Sequence, residues 1–177
     1  MSDNLFRCIV SLLDKPTASL IVTGARGAGK TYVCKQVATA LRNHGISVGG
    51  VLSPRVIDEK RTVGYMISDL ISQEERLFAA EKPPGIKTGR FYINEKGITF
   101  ACTAIERAIC SCCVVFVDEI GPLEISGNGL FLAARKLLAK RSERMAVLPV
   151  LIIRPSLITT AEKLFPLLSS ADRWTAG

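Results

Sequence analysis

Three stretches of this sequence predict a three-layer α/β fold built on a mostly parallel sheet. The first is a short apolar run, Ala18 to Thr23, then the octet GARGAGKT (Gly24 to Thr31), then a helix over Tyr32 to Asn43 stopped by Gly45. The second is Cys113-Val114-Val115-Phe116-Val117, a continuous apolar run rich in β-branched residues, ending in Asp118-Glu119. Strands buried on both faces of a parallel sheet read this way. The third is the pair Arg55-Val56-Ile57 and Thr62 to Ile67 around the charged tip Asp58-Glu59-Lys60-Arg61, which predicts an antiparallel hairpin inserted between the first two. Alternating strands and helices with one such insertion extend a layered α/β sheet.

The octet fits the phosphate-binding loop pattern of Gly, four residues, Gly-Lys and Ser or Thr, in the strand–loop–helix setting that the pattern requires. Gly24, Gly27 and Gly29 let the backbone curl close to a ligand, and Ala25, Arg26 and Ala28 supply further N–H groups to the same concavity. Those groups and the helix N-terminus attract an anion. Lys30 brings a charge for the β- and γ-phosphates, and Thr31 a hydroxyl for a magnesium ion. The second run completes the site. Carboxylates at the C-terminal end of a parallel strand lie where open α/β sheets carry their chemistry. Asp118 is expected to hold magnesium and Glu119 to activate a water. Adjacent strand residues point to opposite faces, so Glu119 needs a bend at the strand end to reach that water.

With 177 residues the chain suits one α/β domain, expected over 18–177 after an N-terminal extension over 1–17. In that extension Leu5, Ile9, Leu12 and Leu13 fall at helical spacing, and Lys15-Pro16 closes it. No apolar run reaches membrane-spanning length. The first residues, MSDNLFRC, do not form a signal peptide. Six cysteines without such a signal read as reduced thiols, so a cytoplasmic monomer is expected. The net charge of +7 suits an anionic ligand. Arg135, Lys136, Lys140, Arg141 and Arg144 gather on one predicted helix, read as a solvated face, with a nucleic-acid footprint as the weaker reading.

Elsewhere, Ile46 to Leu52 reads as a second strand and Leu77-Phe78-Ala79 as a short one. Pro83-Pro84-Gly85 marks 81–90 as a surface loop of the kind that reaches over a site. Helix is expected over Thr99 to Ile109, a basic helix ending near Ser142, an apolar run from Met145 to Ile153 broken by Pro149, and a last helix from Thr159 to Phe165 before a short polar tail.

From about Leu20 to Phe165 the chain resembles the small THEP-type nucleoside-triphosphatases, whose animal member is called cancer-related NTPase. The resemblance rests on GARGAGKT, the hairpin, Thr88-Gly89-Arg90-Phe91, Ile105-Glu106-Arg107-Ala108 and, most distinctively, Asp118-Glu119-Ile120-Gly121 followed by Glu124. It implies a RecA-like core and slow, magnesium-dependent hydrolysis of several nucleoside triphosphates, ATP and GTP among them, to diphosphate and phosphate. The loop residues Gly24, Gly27, Gly29, Lys30 and Thr31 then bind phosphate and metal, with Asp118 the metal-side carboxylate and Glu119 the base. Pro122-Leu123 departs from the family's polar-then-Met pair before Glu124, a change expected to re-aim that acid. The N-terminal extension is additional, and the end after Pro166 reads as shortened where the family carries a last strand.

Arg26 in the loop, Arg154 at a strand end and Arg90 in the 81–90 loop are the candidates for touching the γ-phosphate. Cys110, Cys112 and Cys113 form a tight cluster that reads as free thiols rather than a metal site, and Cys34 as a core residue. His44, beside Gly45, reads as a helix-end residue. A kinase passing the γ-phosphate to another acceptor is the first alternative function; it lacks an arginine-dense lid in this sequence. A nucleotide-dependent RNA-binding switch is the second, supported only by the basic helix.

Overall fold

The computed structural model describes residues 2–142 and 147–177. Among them ten strands form one sheet in the order β10-β1-β9-β8-β2-β4-β5-β7-β6, with β3 paired to β4. The parallel half joins β1 (Leu20–Thr23) to β10 (Asp172–Thr175) on one side and to β9 (Leu148–Ile153) on the other; β8 (Val114–Ile120) and β2 (Val48–Leu52) follow. The antiparallel half is β3 (Arg55–Asp58), β4 (Arg61–Asp69), β5 (Glu75–Ala80), β6 (Ile86–Thr88) and β7 (Phe91–Ile93). Glu59 and Lys60, both at positive φ (44° and 65°), form a two-residue turn between β3 and β4, the backbone twist that tight hairpins favour.

Strand alternation sends side chains to two faces, and helices cover both. Leu20, Val22, Phe116 and Val150 pack under α2 (Lys30–Asn43), through its Val33, Val37 and Leu41. The predicted N-terminal helix, α1 (Ser2–Leu13), joins this layer and buries Leu5, Ile9 and Leu12. Ile21, Val115, Val117 and Leu151 face the other way, against α3 (Glu95–Ser111), α5 (Phe131–Ser142) and α6 (Ile158–Leu164). The result is the phosphate-loop NTPase architecture, a mostly parallel sheet between two helical layers and lengthened by antiparallel strands.

Three expectations need correction. Residues 81–90 are not a plain loop, because β6 pairs with β7 and makes a hairpin whose tip is Gly89-Arg90. Helix α3 starts at Glu95, four residues before the expected Thr99, because Asn94 caps it by accepting from Lys96 N–H (2.9 Å) and Gly97 N–H (3.3 Å). Nor is a last strand missing after Pro166. The tail forms β10, an edge strand parallel to β1 that buries Trp174. Charged and polar neighbours on the solvent side of Trp174 hid this strand from a periodicity reading. The Ala176 N–H donates to the Thr23 carbonyl at 2.8 Å, so β10 ends against the phosphate loop. A Cβ on Gly24 would lie 2.7 Å from the Ala176 carbonyl oxygen. That glycine therefore serves packing as well as phosphate approach. Trp174→Ala should lower stability by about 3–5 kcal/mol, read as a shift in denaturant midpoint.

Pro149 sits inside the central strand β9 without cost to its ladder. The Leu148 N–H donates to Cys113 O just before β8 (2.7 Å), so the position of Pro149 faces β1, whose pairing begins only at Leu20↔Val150. The basic cluster is only partly within the described residues. Arg144 and Met145 lie outside them. Lys136 pairs with Glu106 at 2.9 Å, and the Arg135 guanidinium stands 5.5 Å from the Phe131 ring centre.

Candidate active site

The ends of β1, β8, β2 and β9 meet in one cleft of about 390 Å³, and the predicted residues come together there. The loop bends through left-handed backbone at Gly29 (φ 80°), just before α2 begins at Lys30. The Lys30 ammonium donates to Gly24 O (2.8 Å) and Ala25 O (2.9 Å), folding back over the loop it follows. Burial lowers its pKa, an effect opposed by the charges of Asp118 and Glu119. Arg26 stands on the wall of the cleft with an exposed side chain.

Asp118 is buried (1% exposed) and already organised. Its Oδ2 accepts from the Thr31 hydroxyl at 2.7 Å and the Ser53 N–H at 3.0 Å, and its Oδ1 from the Glu119 N–H at 2.9 Å. Burial, with the nearby charge of Glu119, raises its pKa to about 7 against the pull of those three hydrogen bonds. Ser53 was not anticipated from sequence. It directly follows β2, the neighbour of β8, and its contribution is a backbone N–H that any residue type but proline would bring.

The bend that Glu119 requires is present. Val117 pairs with Leu151 and Ile120 with Ile153, so three steps along β8 match two along β9. The extra residue is Glu119 itself, in left-handed backbone at φ 70°. A β-bulge of this kind re-aims a side chain, and a non-glycine residue in such a conformation carries strain of order 1–3 kcal/mol. Simple alternation would turn the Glu119 carboxylate under the α3 layer. Here it lines the cleft, with Oε2 accepting from Arg154 at 3.3 Å. Arg154 follows β9, between the strands that carry the loop and the carboxylates. Arg90 stands apart, donating to Thr62 O (2.5 Å) and lying 3.6 Å from Glu81.

Glu124 has a structural position. It lies in the short helix α4 (Pro122–Ile125) and is 2% exposed; its oxygens accept from the N–H groups of Gly121 (2.9 Å) and Leu130 (3.0 Å). It ties α4 to the start of α5. Cys110, Cys112 and Cys113 lie at the opposite end of β8 from Asp118, where Cys113 Sγ accepts from the Ser47 hydroxyl (3.3 Å). His44 caps the C-terminus of α2, its Nδ1 2.9 Å from Ala40 O.

The raised pKa of Asp118 has a consequence for stability. Its folded value of about 7 exceeds the ordinary aspartate value of 3.8, so between those values the folded state binds more protons than the unfolded one. Stability without divalent cations should therefore fall as pH rises from about 4 to 7 and level off above. Glu124, also raised by burial, adds in the same direction. Asp118→Asn should flatten most of this dependence in thermal melts taken with a chelator.

The fold and the cleft define a phosphate-loop nucleotide-binding protein. The family model described as NTPase matches residues 19–164, and the chain belongs to this NTPase family. The nucleoside-triphosphatase THEP1 of Methanopyrus kandleri is 36% identical over 118 residues, which cover 67% of this chain and 66% of that protein, just under two thirds of its length. Two solved structures share the fold. One is THEP1 from the hyperthermophile Aquifex aeolicus, with TM-score 0.67, 22% identity and 89% of each chain covered. The other is a human cancer-related nucleoside triphosphatase, with TM-score 0.64, 18% identity, and 89% of this chain and 88% of that one covered. Among the described residues no helix is long and apolar enough to cross a membrane.

Proposed function

We propose that this protein hydrolyses nucleoside 5′-triphosphates to diphosphate and phosphate, with Glu119 as the general base. The observation that carries the reading is the bulge at Glu119. A non-glycine residue held at φ 70° aims a carboxylate into the cleft lined by Lys30, Thr31 and Asp118, where the terminal phosphate would lie.

The loop amides and Lys30 receive the β- and γ-phosphates, the ammonium exchanging two neutral carbonyl partners for phosphate oxygens. A buried carboxylate with a raised pKa beside a threonine hydroxyl is a hard-oxygen donor set in need of a cation. That chemistry fits magnesium, which Thr31 and Asp118 would hold and which would supply positive charge at the phosphate oxygens. Arg154 orients Glu119 through Oε2, and the other carboxylate oxygen takes a proton from the attacking water. Water oxygen bonds to the γ-phosphorus as the bond to the β–γ bridging oxygen breaks, and the diphosphate leaves.

The test is phosphate release from ATP, GTP, CTP and UTP with magnesium. Turnover of all four at similar low rates is expected, since Arg154 already pairs with Glu119 and Arg26, on the wall of the cleft, keeps an exposed side chain. A preference above about a thousandfold would reveal a base-reading pocket, and absence of phosphate release would sink the proposal. Arg154→Ala should slow hydrolysis about 10–100-fold, the value of one charge-assisted hydrogen bond, with little change in nucleotide affinity. Affinity loss without rate loss would make Arg154 a nucleotide-binding residue instead.

A further inference from the structure

Glu119 and Arg154 line a second cavity as well as the cleft, and the two spaces also share Arg26 of the phosphate loop, Ser53 and Tyr65. Its volume is about 230 Å³. The antiparallel half of the sheet builds its walls with Phe78, Ala79, Phe91 and Ile93, and α4 adds Pro122 and Leu123. Tyr65 stands at the junction of the two spaces, edge-on to Phe91 with ring centres 5.4 Å apart and planes at 81°. The β6–β7 hairpin tip, Thr88 to Arg90, closes the outer end.

A hydrolytic water needs neither this volume nor these walls. An apolar cavity of about 150 Å³ already admits a benzene ring, so this one takes a single substituted ring and excludes a nucleotide or peptide. Its aromatic side chains offer the edge and face contacts that rings prefer. The carboxylate at the floor, Glu124, asks for no partner, since its oxygens are met by the Gly121 and Leu130 N–H groups. Arg90 at the outer end is engaged by Thr62 O and Glu81, and Arg26 reaches the cavity from the exposed loop, so the polar pair at the inner end is Glu119, which accepts, and Arg154, which donates. A carboxylate guest would meet Glu119, and an ammonium guest would meet Arg154. A hydroxyl satisfies both, donating to one and accepting from the other.

We propose that this cavity is the binding site of a second small molecule, a hydroxylated aromatic compound, whose hydroxyl occupies the place of the attacking water beside Glu119. This rests on the reading of Glu119 as the base. With the guest seated, water loses its position. Where the hydroxyl oxygen lies in line, it bonds to the γ-phosphorus while the β–γ bridging bond breaks. Its proton passes to Glu119, and the nucleoside diphosphate leaves.

Benzyl alcohol is the probe, with benzoate and benzylamine as anionic and cationic controls. Saturation-transfer NMR without nucleotide reads the cavity alone, whereas phosphate release without probe reads the hydrolytic reading alone. Benzyl alcohol should bind saturably, about tenfold more tightly than either charged control, because each of those sets a like charge beside one member of the Glu119–Arg154 pair. It should also lower phosphate release from ATP with the same saturation; diphosphate formed in excess of phosphate would place the hydroxyl in line. Ala79→Leu, which fills the cavity, should remove both effects. Ile93→Phe serves if thermal melts show the first variant unfolded. Equal binding of all three probes, binding untouched by both filled variants, or binding that leaves phosphate release unchanged would each overturn the proposal.

Discussion

Lys30→Ala should lose nearly all nucleoside-triphosphate hydrolysis, a fall of about 10²–10³ in turnover. The magnitude follows from removing one preorganised charge from a transferring phosphoryl group, which costs about 3–4 kcal/mol. Lys30 is the first residue of α2, and its backbone is fixed by the helix that buries Val33, Val37 and Leu41. Its ammonium already sits at the mouth of the loop, 2.8 Å from Gly24 O and 2.9 Å from Ala25 O. Little reorganisation separates that position from the phosphates. Burial also weakens its hold on the proton, so a bound polyphosphate should raise the Lys30 pKa, in the direction Asp118 and Glu119 already pull. Lys30→Arg should rescue little, since a planar fork does not replace a compact ammonium in a tight loop. The measurements are single-turnover phosphate release and binding of a fluorescent triphosphate analogue. Because Lys30 also ties two loop carbonyls, the melting temperature of each variant must be compared. Turnover like that of the unaltered protein would mean that the loop is not the site.

The phosphate loop was legible because its chemistry leaves few choices of residue at fixed spacing. Gly24, Gly29, Lys30 and Thr31 are each required by backbone conformation, charge or hydroxyl. The strand before Asp118 was legible because burial on both faces makes a continuous apolar run. Strand β10 was not, since only Trp174 of its four residues is buried and an edge strand shows no long pattern. Nor was Ser53, which acts through its backbone. The hairpin tip at Gly89-Arg90 was masked by Pro83-Pro84-Gly85, which reads as a break whether a loop or a hairpin follows. Glu124 illustrates the limit most clearly. Sequence shows an acid near the site, and only its two backbone partners show that it is held as a brace between α4 and α5.

Glu119→Gln should bind nucleotide as before, or slightly more tightly, and hydrolyse it about 10²–10⁴-fold more slowly, the contribution of a positioned base. Glutamine keeps the length of the side chain and one acceptor for Arg154, but loses the negative charge and the basic oxygen. Because both residues carry a Cβ, the left-handed backbone at φ 70° is equally strained in each, and stability should change little. The lost ion pair with Arg154 is partly exposed, 39% on the arginine side, and such pairs contribute about 0–1 kcal/mol. Removing the Glu119 charge also withdraws one of the causes that raise the Asp118 pKa, so that pKa should fall below about 7 in the variant. A lower Asp118 pKa moves the fall in stability with pH to more acidic values, a readout independent of turnover. A kinase in which a group other than Glu119 takes the acceptor's proton predicts a different outcome, with transfer persisting while hydrolysis drops. If Glu119→Gln hydrolyses normally, the base assignment fails. Glu124 is then a poor substitute, because its carboxylate is buried and both oxygens are engaged by backbone N–H groups. The base would have to be the phosphate itself.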